Sequence, residues 1–313
     1  MMPHGQDARA TLRLGMRETE LLSHIAMRSA DLAGSFPGVV VGPGDDCAVV
    51  RAEGEMLLTV DQVVAGRHFE AGTLIELIAR KAVARSVSDI AAMGGTPRWG
   101  LATGLLPRGF EEGDALFDAM ARWGREFGAP LVGGDVAVWD ADLVITCTVG
   151  GAVHAKRGAV LRSGARPGDE VWVTGRVGDS LGSGRHLSFV PRVKEGQWLC
   201  DVLGAELRAM IDVSDGVGID AGRIAAASGV GIEIELESVP RHEGVEDALR
   251  AMGDGEDYEL VFVAGAGALK ESATGNGTKL TRIGRVVEGI AGSCVAVDAR
   301  GGRVDVSQRG WEH

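Results

Sequence analysis

Apolar, strand-like runs that stop on an aspartate recur along this 313-residue chain, and they constrain its folding more than any other feature. Asp61 closes LLTVDQ, Asp135 follows LVGG, and Asp212 and Asp215 punctuate MIDVSDG. Asp89 lies in VSDIAAMGG, and Asp45 and Asp46 stand together in GPGDDCAVV. A carboxylate at the end of a buried run is costly unless it is paired or bound to a metal. Taken singly, each reads as a turn residue bonding its own backbone or, for Asp89 and Asp215, as a helix cap. Taken together, across both halves, they form a pattern. Hard cations such as Mg²⁺ take oxygen ligands and bridge a few carboxylates to phosphates.

Strand and helix signals mix along the chain, which predicts an α/β (α+β) protein of two domains. Helical spacing covers residues 18–33, followed by strands in GVVVG and CAVVRA on either side of the double aspartate. EMLLTVDQVV reads as a strand, 73–93 as a helix stopped by glycine, and RWGLATGLLP as a strand ended by Pro107. EEGDALFDAMARWGREFG is an amphipathic helix. APLVGGDVAVWDADLVITCTVGGAV reads as strand, glycine turn, strand. A polar, glycine-rich stretch near 155–170 marks a domain boundary. The expected organisation is a tail over 1–16, an N-terminal domain over 17–155 and a C-terminal domain over 156–313. EVWVTG, VGIEIELESV and DYELVFVAG then read as strands, and AMIDVSDGVGIDAGRIAAASG as strand end, turn and helix. SVSDIAAMGG in the first half weakly echoes DVSDGVGIDAGRIAAASG in the second.

The formal net charge is −12, which disfavours a nucleic-acid groove or an anionic membrane as partner. An acidic protein that handles phosphates needs cations to do so. No run approaches the roughly 18 apolar residues of a membrane span, and the start lacks the apolar stretch of a signal peptide. Cys47, Cys147, Cys200 and Cys294 have no paired spacing and read as buried thiols in a reducing cytoplasm. LVGGDV has bare backbone that can approach a phosphate, yet neither G-x-x-x-x-G-K-[ST] nor a helix-opening G-x-G-x-x-G is present. His68 reads equally as a packed or a functional histidine. GDGEDYEL alone reads as a solvated turn, and Trp311 as a core residue.

GDDCAVV, VDQVVAGRHF, KAVARSVSDIAAMGG, LVGGD, RSGARPGDEVWVTGRVGDS, AMIDVSDG, GEDYEL and RGWEH occur in this order. In this the chain resembles the thiamine-monophosphate kinase family, within the wider aminoimidazole ribonucleotide synthetase superfamily, from about Glu18 to His313. The resemblance implies an N-terminal sheet that forms a barrel across a homodimer, and a C-terminal α/β domain. It implies a cytoplasmic enzyme that uses ATP to convert thiamine monophosphate to thiamine diphosphate. Asp46, Thr59, Asp61, Asp89, Asp135, Asp212 and Asp215 would hold several Mg²⁺ ions. Gly134, Asp135, Arg162 and Ser214 would contact ATP, and His68, Glu256 and Trp311 the thiamine substrate. No residue is expected to act as a general base: the attacking phosphate oxygen is already deprotonated, so positioning and charge stabilisation suffice. Alternatives are a superfamily enzyme with another acceptor, or a non-catalytic nucleotide-binding homologue.

Departures from the family pattern are Val60 for Thr, beside the expected metal site, Ser86 for Asn, Asp254 for Gly, and a short segment after Ser180. The last is expected to alter the architecture beside the site.

Overall fold

The computed structural model describes residues 24–310 apart from 26, 44–47 and 53. A short helix α1 (Leu32–Ser35) and a ribbon of β1 (Val39–Val41) and β2 (Val49–Val50) come first. The double aspartate between them lies outside the described residues, as do Cys47 and residues 18–23 and 26 of the helix read over 18–33.

A four-stranded sheet follows, in the order β3 (Met56–Val64), β6 (Val144–Ala152), β4 (Thr96–Pro107), β5 (Leu131–Trp139). β4 and β5 are parallel, and the other pairings are antiparallel. Parallel strands need a crossover, and α3 (Gly113–Glu126) supplies it. Its Leu116, Ala119 and Met120 are buried, while Asp114 in the first turn and Arg125 in the last match the helix dipole. The glycines of LVGGDV lie inside β5, and the turn comes after Trp139. A Cβ on Gly134 would stand 1.9 Å from the Ala102 carbonyl oxygen, so close backbone approach between β4 and β5 is enough to require glycine there.

Helix α2 (Ile75–Ala92) packs on the same face of this sheet as α3. It is buried on nearly every side because its second side meets the C-terminal half. Its many alanines and short β-branched residues allow that close double packing. Fully burying one residue such as Val87 or Ile90 contributes roughly 1.5–3 kcal/mol.

The second half is built on a seven-stranded sheet. Its order is β13 (Arg303–Asp305), β12 (Cys294–Val297), β9 (Gly231–Glu235), β11 (Leu280–Val287), β7 (Glu170–Thr174), β10 (Leu260–Ala264), β8 (Leu207–Asp212). Val171, Val173, Ile211, Val261 and Val263 face a core shared with α5 (Val217–Ser228). Trp172, Met210, Leu260 and Phe262 alternate to the other face, against α4 (Val193–Leu203) and Ala92 of α2. β10, covered on both faces, is buried throughout. The short helix α6 (Ala248–Gly253) precedes the GEDYEL segment. Cys147, Cys200 and Cys294 are buried free thiols. Among the described residues no helix is long and apolar enough to cross a membrane.

Candidate active site

The alternation of β3 sorts its side chains between two faces. Thr59 and Asp61 turn inward to α2: the Thr59 hydroxyl donates to Asp89, and Asp61 lies 3.6 Å from Arg85. Val60 turns outward and is 61% exposed, so its missing hydroxyl is lost from the far face and not from beside Asp89. From the second half, Asp212 at the end of β8 accepts a 2.6 Å hydrogen bond from the Ser88 hydroxyl of α2. Three carboxylates from both halves thereby converge on one stretch of helix.

Little cationic charge compensates them. Burial, then the charges of Asp212 and Asp61, hold the Asp89 carboxyl up at about 8, against the bond from Thr59. Burial likewise holds Asp212 up at about 7, with Asp220 and Asp61 adding to it and Ser88 and Arg162 opposing it. Asp61 Oδ2 is buried without a hydrogen-bond partner. Buried oxygens that resist ionisation together are the donor chemistry that Mg²⁺ accepts. Among the described residues, however, no three such side chains form a ready-made cation cage.

Two turns back along α2, a second polar cluster is balanced. The Lys81 ammonium is fully buried and ion-paired with Glu256. It also donates to the His68 carbonyl at 2.8 Å and lies 2.8 Å from His186 Nδ1. Burial pushes Lys81 down to about 8 against the pull of Glu256. Burial would raise Glu256, but the His186 hydrogen bond and Lys81 overcome it and bring its carboxyl down to about 2.

Glu256 and Tyr258 hold positive φ, +57° and +53°. That conformation costs roughly 1–2 kcal/mol per residue. Two backbone hydrogen bonds hold it, Glu256 N–H to the Ser214 carbonyl (2.7 Å) and Tyr258 N–H to the Val213 carbonyl (2.8 Å). GEDYEL is therefore a buried segment leading into β10 and not a solvated turn, because each acid finds a partner. Asp257 accepts from the Gly178 N–H, and Glu259 from Thr174 and Arg192.

The remaining candidates lie around this centre. Asp215 is buried and ion-paired with Arg223, which also binds Asp220. Asp212 and Asp215 therefore have different partners although three residues apart. Gly216 between them and α5 has φ +130°, and a Cβ there would meet the Met252 carbonyl oxygen at 2.6 Å. Arg162 is exposed, with its charge acting on Asp212, and Ser214 is half-buried. His68 is buried, its Nδ1 accepting from the Val64 N–H at 3.0 Å. Gly134 continues the cross-strand row of Asp61, Cys147 and Ala102. Asp135 stands in the next row, opposite Thr103, on the exposed outer face. The structure does not bring it to the other carboxylates. Asp46 and Trp311 lie outside the described residues.

Sequence reading missed Lys81, Arg85 and Ser88, whose spacing marks one helix face and was a usable signal. It also missed Tyr258. Two of the departures meet: Asp254 accepts a 2.8 Å hydrogen bond from the Asp179 N–H, at the start of the short segment after β7. A 3-10 turn, Arg185–Leu187, closes that segment and carries His186 to Lys81.

Comparison with known proteins agrees with this architecture. The AIR synthase related protein N-terminal domain matches residues 44–153, and its C-terminal domain matches 166–295. Thiamine-monophosphate kinase of Rhodopirellula baltica is 36% identical, over 86% of this chain and 89% of its own. The Escherichia coli K12 enzyme of the same name is 35% identical, over 88% and 92%. The crystal structure of thiamine-monophosphate kinase from Stenotrophomonas maltophilia superimposes with a TM-score of 0.76 at 29% identity, covering 88% of this chain and 96% of that one. A structure of AaThiL complexed with AMPPCP and TMP gives 0.70 at 27% identity, covering 95% and 99%.

Proposed function

The chain belongs to the thiamine-monophosphate kinase family of AIR synthase related proteins, and from that premise we propose that it transfers the γ-phosphoryl group of ATP to thiamine monophosphate. The bond from the γ-phosphorus to the ADP oxygen breaks. A bond to an oxygen of the acceptor's phosphate forms, giving thiamine diphosphate and ADP. The observation that carries the reading is the convergence of Asp61, Asp89 and Asp212, from both halves, with Arg85 beside Asp61 too little to balance them.

An ATP tail and a phosphomonoester repel each other, so a phosphate-joining site needs more positive charge than this acidic chain supplies. Asp61, Asp89 and Asp212 with Thr59 are the residues that fit Mg²⁺, as the orphaned Asp61 oxygen and the raised carboxyls suggest. When bound, Mg²⁺ neutralises phosphate charge and aligns donor with acceptor. Asp46, Asp135 and Asp215 are assigned to cations by resemblance, as are Gly134, Arg162 and Ser214 to ATP and His68, Glu256 and Trp311 to the thiamine moiety. In this chain Glu256 acts at least as the anchor of its segment through Lys81. No general base is required, and the chain's own part is binding and alignment.

The chain acts as a homodimer in the cytoplasm on this reading. Val60, Thr148, Leu101 and Gly133 form one cross-strand row on the outer face of the four-stranded sheet. With Leu58, Leu105 and Trp139 they make an apolar surface that is exposed among the described residues, of the kind that marks an interaction site. A second copy laid on it would close the barrel that the family resemblance implies.

The test is ADP release from ATP and Mg²⁺ with and without thiamine monophosphate, beside an Asp89→Asn control. Acceptor-dependent ADP release with thiamine diphosphate accumulating, and a dead control, is the expected result. ATP binding with indifference to thiamine monophosphate would overturn the acceptor.

A further inference from the structure

Four polar atoms in one region between the halves are buried without a hydrogen-bond partner: Asp61 Oδ2, Arg85 Nε, Glu256 Oε2 and the Tyr258 hydroxyl. Buried polar groups are normally satisfied, and each exception calls for a cause. Asp61 has one as a candidate cation ligand, and Glu256 in its ion pair with Lys81. Arg85 and Tyr258 do not, because both present donors where the neighbourhood is acidic.

Both side chains are held firmly. Arg85 Nη1 donates to the Gln62 carbonyl at 2.9 Å, and Nη2 lies 3.6 Å from Asp61. This fixes the guanidinium and leaves its Nε–H unspent. The Tyr258 ring stacks on Phe189 with centroids 3.9 Å apart. Its backbone is pinned to Val213. The charges that act on its hydroxyl are those of Glu256, Arg85, Asp61 and Asp212. The hydroxyl thus feels the carboxylates read as cation ligands, and its residue stands two positions from Glu256, read as the acceptor side. Tyr258 is the chain's single tyrosine.

We propose that the Arg85 Nε–H and the Tyr258 O–H form a donor pair that holds an oxygen of the acceptor's phosphate. This rests on the kinase reading for the identity of the acceptor. Guanidinium and hydroxyl donors suit phosphate oxygens, and hydrogen bonds to a charged acceptor are the stronger kind. The pair supplies what the carboxylates cannot, a fixed direct contact to the incoming anion. Phe189 is half-buried over the tyrosine and belongs to the short segment between β7 and α4.

The deciding variant is Tyr258→Phe, which removes one oxygen and nothing else. If the hydroxyl waits for a ligand, the melting temperature stays level or rises, since an unsatisfied buried group is gone. KM for thiamine monophosphate then rises about ten- to a hundredfold while KM for ATP is unchanged. Arg85→Gln gives a similar rise, and Arg85→Lys recovers part of it. An unchanged KM for thiamine monophosphate, or a clear drop in melting temperature for Tyr258→Phe, overturns the proposal. Calorimetric titration of wild type and Tyr258→Phe with inorganic phosphate separates the two readings. Should the wild type fail to phosphorylate thiamine monophosphate, the acceptor assignment falls. A phosphate affinity about tenfold weaker in the variant would still support the pair, and equal affinities would end it.

Discussion

Lys81 and Asp89 lie about 12 Å apart on one buried helix, each inside a polar cluster, and the two clusters follow opposite rules. Around Lys81 the charges cancel: ammonium, Glu256 carboxylate and imidazole satisfy one another between the halves. Around Asp89 they accumulate, with Asp61 and Asp212 close by and carboxyls that resist ionisation. A balanced buried pair locks two elements in register. An accumulated charge of one sign is unfavourable for the protein alone, and it marks where something else is to be bound. The same helix therefore fastens the halves at one turn and prepares a site at another.

The strongest way to break the comparison is at its balanced end. Lys81→Met strands the Glu256 charge in the interior and should cost about 3–5 kcal/mol of stability, read by denaturant unfolding. Lys81→Met with Glu256→Leu should regain much of that loss. If Lys81→Met were as stable as wild type, the junction would not be the fastening described.

At the accumulated end the opposite is expected. Asp89→Asn should cost about 10²- to 10³-fold in kcat yet raise metal-free stability near neutral pH, because folding no longer has to bind the proton that the unfolded carboxyl has lost. Addition of Mg²⁺ at a hundred times its dissociation constant should stabilise the wild type by about 2.7 kcal/mol, and Asp89→Asn much less. Thermal melts with and without chelator check both.

The pH dependence should differ in sign. Asp89 and Asp212 titrate in the folded protein near 8 and 7, above the ordinary 3.8. The folded state therefore binds more protons, and the metal-free protein loses stability as pH rises from about 4 to 8. Glu256, near 2 when folded against an ordinary 4.5, contributes stability that is present above about 4.5 and is lost as pH falls towards 2. Asp89→Asn should flatten the first slope alone and Glu256→Gln the second alone. The smallest effect belongs to Ser88→Ala, which removes one hydrogen bond to Asp212 and should cost about 1 kcal/mol.

Much of this was legible in the chain. Strand period and glycine stops placed β3, α2, β4 and α3 close to their observed bounds, because amphipathic pattern and breakers act locally. Spacing did not place β11, β12, α4 or the buried GEDYEL segment. Its acids look solvated until Lys81, Gly178 and Arg192, all remote in sequence, arrive to pair with them. Val60 was read beside the site because it is next to Asp61 in sequence, and the pleat of the strand sends it to the other face.

By itself, then, the sequence determined which elements form, and which residue types must be compensated if buried, since both follow from neighbours a few positions apart. The tertiary structure alone decided which charges cancel. Asp212 meets Ser88 and Glu256 meets Lys81 across more than a hundred residues. Only the packing of both halves on α2 places Asp61, Asp89 and Asp212 within reach of one another. The carboxylates were visible as letters, but their imbalance is a property of distance, and distance is set by the fold.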